Sequence, residues 1–575
     1  MRICSLLIAV LFAVVGMASP DNTLFSEGHS QYSIVVSADA SQTERTAALE
    51  FQSYVEKIGG VRLPIVDSPK QTGHCVFIGY SAAYYKKVNI ARPSDDDDTY
   101  TYRTVGDDLF IFGGRAHGTM YGVFSFLEHE MGVHWYTSEF TKIPRLKQFL
   151  LRDLNHTESP VIKYRFDYFC QAVKDRAWMA HNLLNTNHSI SNDRYGKLSA
   201  QWGVHTFGTL IPASDYFKAH PEYFGLYKGK RSANTQLCLS NSRMCSDLIR
   251  NLRKVIREKP GYWCYDVSQN DNNMPCECPS CAALVEKYGG QSGALLWFVN
   301  KVAAEIKKTN PDVFISTLAY HYTRQAPTSD IRPADNVVVR LCDIECCQAH
   351  PLDECDENKK FLQDMDNWKR ITKNITIWDY TTGFLHYLMP FPNFDVLARN
   401  YQYFSRSNVI GILELGSWNA PWSEFSELKQ WLVAKLLWNP RQDTDSLASL
   451  FINDYYGKAA PYVRKYYDLC RRQVTPDSHF SVYIESDTKL YTDKFLADAD
   501  KLLKKALKAS SDQETLKRTG RLAAQIYYMQ LRRQTARSLT NGTANKLKDI
   551  INSDSTIVKE INGSFEKLLN DLTYH

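Results

Sequence analysis

Between about residues 160 and 440, short apolar runs alternate with stretches of helical period. The runs are Ile162–Phe169, His205–Leu210, Trp263–Val267, Val313–Ala319, Val337–Leu341, Ile375–Trp378 and Ile410–Leu413. Amphipathic segments such as Asn241–Arg257 and Leu295–Lys308 lie between several of them. A strand covered on both faces reads as an unbroken apolar run, and parallel strands need a helical crossover to return. The pattern therefore predicts an α/β fold, a (β/α)8-type barrel over residues 160–440, with a doubly wound sheet as the alternative.

Barrels of this kind place their sites at the C-terminal ends of the strands, so the residues closing each run are the candidates. Arg165, Asp167 and Tyr168 end the first run, with Trp178 after it, and His205 opens the second. Asn270, Asp271 and Asn272 follow the third, Tyr320 the fourth, and Asp343 and Glu345 the fifth. Trp378 and Asp379 close the sixth; Glu414 and Trp418 follow the seventh. Convergent carboxylates, amides and tryptophans suit glycoside hydrolysis. One acid protonates the leaving oxygen while a second group stabilises or attacks an oxocarbenium-like centre. Asp271, Glu345 and Glu414 are the candidate catalytic residues, with carboxyl groups expected within about 5–10 Å of one another. Arg165, Trp178, His205, Gln236, Asn270, Asn272, Tyr320, Trp378, Asp379 and Trp418 are the candidate sugar-binding residues. The competing reading of any one carboxylate is a structural hydrogen bond at the barrel end. Phosphate-loop, GxSxG and HExxH motifs are absent, so no cofactor and no metal is assigned to the site.

The flanks add context. Met1-Arg2, an apolar run from Ile3 to Val15 and the small residues before Ser19 have the layout of a signal peptide ending at Ala18. Export, to periplasm or cell exterior, is expected, with no membrane span. Residues 24–150 read as an α/β domain: a strand from Tyr32, a helix over Thr43–Ile58 stopped by Gly59 and Gly60, and a hairpin from Tyr100 to Phe112. Residues 441–575 read as a helical accessory domain, with long stripes at Lys489–Ser510 and Glu514–Ser538. Lys+Arg 68 against Asp+Glu 63 leaves +5 and no basic block, which argues against a nucleic-acid partner. Tyr 34, Phe 27 and Trp 11 provide many flat, partly polar surfaces that could stack on sugars or fill cores. Of 14 cysteines, Cys4 lies in the leader, and the remaining 13 are an odd number. Cys276, Cys278 and Cys281 form a CxCxxC cluster. A disulfide, within the loop or to Cys264, or packed thiols is one reading; a structural metal with Cys264 as fourth ligand is the other.

Several segments together carry a resemblance. His117 to Tyr136 resembles the N-terminal domain that precedes the barrel in α-glucuronidases and β-hexosaminidases. His220–Phe224, Gln236–Asn241, Ser268–Asn273 with the CxCxxC cluster, Leu318–Tyr320, Ile377–Tyr380, Glu414–Trp418 and Leu436–Pro440 then follow in order. In combination they resemble glycoside hydrolase family 163, over roughly residues 30–440. That resemblance implies a retaining endo-β-N-acetylglucosaminidase that releases complex N-glycans, with the substrate's own 2-acetamido oxygen as nucleophile. Its substrate would be an oligosaccharide or the glycan of a glycoprotein. Asp271, between two amides, is the first choice for the acid, with Glu345 and Glu414 as rivals. The alternatives are an exo-α-glucuronidase on plant polysaccharide, with Arg165 or His205 holding the uronate, and a non-catalytic glycan-binding protein.

Overall fold

A computed structural model describes residues 22–69, 73–81, 93–534 and 540–554. The expected leader lies outside them. The chain divides into two compact units, Met1–Val133 with Ile143–Glu158, and His134–Lys142 with Ser159–His575.

The first unit is a six-stranded mixed sheet in the order Asn155–Glu158, Tyr100–Val105, Asp108–Gly113, His74–Ile78, Tyr32–Val35, Ile65–Val66. Its helix Gln42–Gly59 starts where the sequence provides a capping box. The Ser41 hydroxyl accepts from Glu44 N while the Glu44 carboxylate accepts from Ser41 N. Such a cap contributes about 1 kcal/mol. The helix ends on Gly60 at φ 73°, a left-handed position that a side chain would resist.

The second unit is built on a curled seven-stranded sheet in which every pair is parallel. We label its strands β1 (Tyr164–Tyr168), β2 (Gln201–Trp202), β3 (Cys264–Asp266), β4 (Phe314–Ala319), β5 (Val337–Cys342), β6 (Ile375–Tyr380) and β7 (Val409–Leu415). Strands β2 to β7 pair in chain order, and β7 then pairs with β1, so the first strand meets the last. Among the described residues no strand fills the eighth place expected of a barrel. The stretch between β1 and β2 bridges it with side chains: Asn185 Oδ1 accepts from Arg165 N at 3.0 Å and its Nδ2 donates to Lys163 O at 2.8 Å. On the other side, Ser199 N donates to Asn185 O at 2.8 Å.

One expected strand is helical. Phe207–Leu210 is a single turn, with Leu210 N bonded to Thr206 O, because its buried residues, Phe207 and Leu210, recur at a spacing of three. The neighbouring strand is instead the two-residue β2. Crossover helices include Ser242–Glu258, Gln291–Lys307, Lys359–Ile371, Phe394–Ser405 and Ser426–Trp438. Beyond Trp438 the same unit continues as helices to Ser553, among them Thr444–Tyr456, Ala460–Arg471, Asp493–Ala509 and Gln513–Arg533. No helix among the described residues is long and apolar enough to cross a membrane.

Candidate active site

Alternation along the strands sorts side chains between two apolar clusters. Ile315, Val339, Leu341, Ile377 and Ile412 pack into the large core shared with the crossover helices. Phe166, Leu318, Cys342, Tyr380, Leu413 and Leu415 form a separate cluster inside the curl of the sheet, joined by Tyr168, Trp378 and Phe384. This lumen opens at the C-terminal ends of the strands, and its mouth is the candidate site.

Asp271 forms one wall. The loop after β3 carries it into solvent, where Oδ1 accepts from the Tyr320 hydroxyl at 3.1 Å. The expected amides turn out to hold this loop. Gln236 Oε1 accepts from Asn270 N at 2.8 Å, while its Nε2 donates to Asn270 O at 2.8 Å and Asn272 O at 2.9 Å. Asn270 Oδ1 accepts from Gly208 N on the turn Phe207–Leu210 and Asn272 Oδ1 from Met274 N, so both side chains are committed to holding the loop. His205, at φ 53°, bonds Gln269 O through Nδ1 at 2.7 Å and sets its ring 5.7 Å from that of Tyr320.

Glu345 forms the facing wall. Its carboxylate accepts from Arg324 at 2.6 Å and meets His321 Nδ1 at 2.8 Å. Arg324 is held in turn by Asp364 at 2.9 Å, on the helix Lys359–Ile371. The His321 and Tyr320 rings are 3.9 Å apart, so the two walls adjoin. Tyr483 joins them. Burial, then the charges of Asp271 and Glu345, raise its hydroxyl above the ordinary range. Nearly half of Tyr483 and of Trp418 is exposed, 49% and 47%, which leaves two aromatic faces open at the rim. Trp418 lies 6.1 Å from Tyr168, and Tyr168 5.5 Å from His188. Deeper in, Trp378 lies in the lumen under the Arg340 guanidinium, and its indole N–H meets no acceptor among the described residues.

Other candidates lie elsewhere. Strands β6 and β7 run two residues past the apolar runs, and the period of two turns Asp379 and Glu414 away from the lumen, toward the helices. Asp167, Glu414 and Asp379 are in register on three adjacent strands, and all are buried. The Tyr401 hydroxyl, on the helix Phe394–Ser405, donates to Glu414 Oε2 at 2.6 Å. Burial first, then neighbouring acids, hold the Glu414 and Asp343 carboxyls well above the usual range; burial raises Asp167 and Asp379 as well. Glu414 therefore does not join Asp271 and Glu345. Arg165 is fully buried. Its guanidinium donates to Leu183 O, Ile162 O and Lys163 O and stacks 4.9 Å from Trp438, so it is unavailable to a uronate. Trp178 is 3% exposed and packs in the helix-side core.

Two groups of side chains have metal-ligand character. Cys238, Cys276, Cys278 and Cys281 are all buried, with their sulfurs within 4.8 Å of one another. The fourth member is Cys238, whereas Cys264 lies on β3 beside Gln201. No disulfide joins them. The second group is Cys347, His350, Cys355 and His479, likewise with its ligand atoms within 4.8 Å.

The family described as domain of unknown function (DUF4838) matches residues 135–468. The chain belongs to the DUF4838 family. No curated protein matches it. Among solved structures, a family GH115 4-O-methyl-α-glucuronidase with specificity for decorated arabinogalactans is 11% identical, with a TM-score of 0.58 over 93% of this chain and 77% of that one. The DUF4838 chain thus shares that fold. The structure of CpGH84B is 11% identical at a TM-score of 0.49, covering 95% of this chain and 94% of its own.

Sequence reasoning missed Tyr483 and Arg324 as parts of the mouth; His321 follows the fourth apolar run beside Tyr320. Tyr483 lies between the helices Ala460–Arg471 and Asp493–Ala509, in a long irregular segment of the kind that often serves a site. That segment folds back over the sheet: Phe384 N donates to Val482 O at 2.7 Å, and Val482 is buried in the lumen cluster. Its length was the available signal.

Proposed function

We propose that this DUF4838 protein is a glycoside hydrolase whose site is the mouth formed by Asp271, Glu345, Tyr483 and Trp418. The observation that carries the reading is the run of contacts Asp271–Tyr320–His321–Glu345, which brings two carboxylates to one mouth beside the exposed rings of Tyr483 and Trp418. Two carboxylates across a cleft are what glycosidic bond cleavage requires, and exposed rings are what sugars stack on. The shared fold with a GH115 glucuronidase supports the class of reaction by analogy.

Within that class, we favour a retaining endo-β-N-acetylglucosaminidase acting on N-glycans, in line with the resemblance to family 163. In substrate-assisted cleavage the 2-acetamido oxygen attacks the anomeric carbon, the leaving oxygen takes a proton, and water later opens the cyclic intermediate. Asp271, reached by solvent and touched by Tyr320, is assigned the proton transfer. Glu345 pairs with Arg324 and hydrogen-bonds His321, and is assigned the place beside the positive charge developing on the acetamide ring. Trp418 and Tyr483 would flank the sugar. The glucuronidase alternative loses one of its two proposed uronate holders, because Arg165 is spent on backbone carbonyls. Export through the N-terminal leader remains part of the proposal.

The test is Asp271→Asn on two substrates. A natural N-glycan, whose leaving oxygen needs a proton, should be cleaved about 10²–10⁴ times more slowly. An activated aryl glycoside should lose much less. Equal losses on both would move the acid to Glu345 and leave Asp271 to orient the acetamide. No loss on either would remove Asp271 from catalysis.

A further inference from the structure

We propose that the chain binds two structural zinc ions, one on Cys238, Cys276, Cys278 and Cys281, the other on Cys347, His350, Cys355 and His479. Each brings four protein ligands to one point, the closed tetrahedral set of a structural site.

For the thiol group, the distances decide between a metal and disulfides. Zn–S bonds of about 2.3 Å in a regular tetrahedron place sulfurs about 3.8 Å apart, whereas a disulfide needs about 2.05 Å. Cys238 Sγ lies 3.7 Å from Cys278 Sγ and 3.8 Å from Cys281 Sγ, the tetrahedral edge. Polar groups border the sulfurs. Leu226 N donates to Cys276 Sγ at 3.3 Å; Cys281 Sγ donates to the Ser240 hydroxyl at 3.2 Å, and that hydroxyl lies 3.4 Å from Cys238 Sγ. Gly225 packs flat on the knot, where a Cβ would come 3.2 Å from the Cα of Cys276. The four thiols are buried against Leu226 and Leu239 and form no disulfide.

The second group stands on its own geometry. Zn–S and Zn–N bonds of about 2.3 and 2.05 Å give a sulfur–nitrogen edge of about 3.5 Å. His479 Nδ1 lies 3.4 Å from Cys347 Sγ and 3.7 Å from Cys355 Sγ, and His350 Nδ1 lies 3.9 Å from Cys347 Sγ. The two imidazoles stand edge to face at 73°, as two ligands converging on one point do. His350 Nε2 lies 3.0 Å from Thr475 O. Donation to that carbonyl fixes the tautomer with Nδ1 unprotonated and facing the group, the usual support of a metal-bound histidine.

Position gives the ions a purpose. Cys238 follows Gln236, the residue that clamps the Asp271 loop, and Cys276 to Cys281 end that loop. Cys347 follows Glu345 by two residues, and His479 precedes Tyr483 by four in the segment that folds over the mouth. Each ion would thus tie down one wall of the mouth. Binding to thiols releases their protons, so assembly would be disfavoured in acid.

The test is metal content of the full chain, purified without chelator and measured by elemental analysis and native mass spectrometry. The expected result is two zinc ions per chain, falling to one in Cys278→Ser and to one in His479→Ala. One ion lost only in Cys278→Ser would overturn the Cys2His2 site; one lost only in His479→Ala would overturn the Cys4 site. No zinc, with all thiols alkylated in the native protein or paired as disulfides, would overturn both. If either variant fails to fold, cobalt loading of the unaltered chain decides. Two cobalt ions per chain with thiolate-to-cobalt absorption uphold the sites, and cobalt uptake without that absorption overturns them. All of these readouts are independent of any glycosidase activity.

Discussion

Glu414→Gln exchanges a buried carboxyl for an amide of nearly the same shape. The amide oxygen can still accept from the Tyr401 hydroxyl, 2.6 Å away in the parent. Its nitrogen can donate to Asp379, the neighbour in register on β6. What changes is a proton. Burial, then the Asp379 charge, raise the Glu414 carboxyl well above the usual range, so the folded protein keeps a proton that the unfolded chain releases near pH 4.3. A folded-state value above the unfolded one gives stability that is complete in acid and is lost as pH rises. The loss is about 1.4 kcal/mol per pH unit for each proton so held, up to the folded-state titration. The cost therefore grows with pH until Glu414 titrates in the folded protein. The variant should match its parent near pH 4.5 and exceed it by a margin that widens as pH rises, by at most about 1.4 kcal/mol per unit, measured by urea unfolding across the range. Since Glu414 faces the helices, turnover should stay within a few-fold. A turnover loss of about 10² or more in a folded variant would put Glu414 in the chemistry. A pH slope as steep as the parent's would show that the proton is not on Glu414.

The remaining expectations concern the frame and the rim. Lys429 is fully buried, donates to Thr381 O at 2.9 Å, Phe391 O at 2.7 Å and Asn393 Oδ1 at 2.8 Å, and pairs with Glu424. Lys429→Met should cost about 3–5 kcal/mol in equilibrium unfolding, and adding Glu424→Gln should recover part of it. Trp418→Ala and Tyr483→Ala should each raise KM for a glycan about 2- to 10-fold, the size of an aromatic contact, with kcat nearly kept. Arg165→Met should destabilise the fold by about 2 kcal/mol or more by removing the guanidinium donor from the buried Leu183 and Ile162 carbonyls, yet leave substrate preference unchanged. A shift in preference between uronate-bearing and neutral glycans would return Arg165 to the site.

Much of the frame was legible because parallel strands under helices are written as contiguous apolar runs. Six of the seven runs became strands at nearly the expected places. What failed was local extent. Asp379 and Glu414 look like residues beyond a strand, yet β6 and β7 include them, and two further residues of ladder decide which face they take. The two-residue β2 is too short to leave a period, and the aromatic and apolar residues at Phe207 and Leu210 imitated a strand instead. Arg165 was read as a ligand because its charge sits at a strand, although its buried carbonyl partners lie up to 18 residues away. Asp271, Glu345 and Trp418 were accessible to reasoning because each follows an apolar run. Cys238, 40 residues from Cys278, and His479, 132 residues from Cys347, were not, since only the folded chain brings such partners together. Tyr483 reaches the mouth the same way, carried back from the helical region.

The central claim, that the mouth at Asp271 and Glu345 cleaves a glycosidic bond, is tested most directly by product masses. The purified full chain would be incubated with a complex N-glycoprotein and, separately, with glucuronoxylan. The account predicts a free oligosaccharide and a glycoprotein retaining one N-acetylglucosamine, with the glucuronoxylan intact. Release of glucuronic acid from the xylan alone would transfer the site to the glucuronidase reading. Glycan binding with neither substrate changed in mass would contradict catalysis and leave a binding protein.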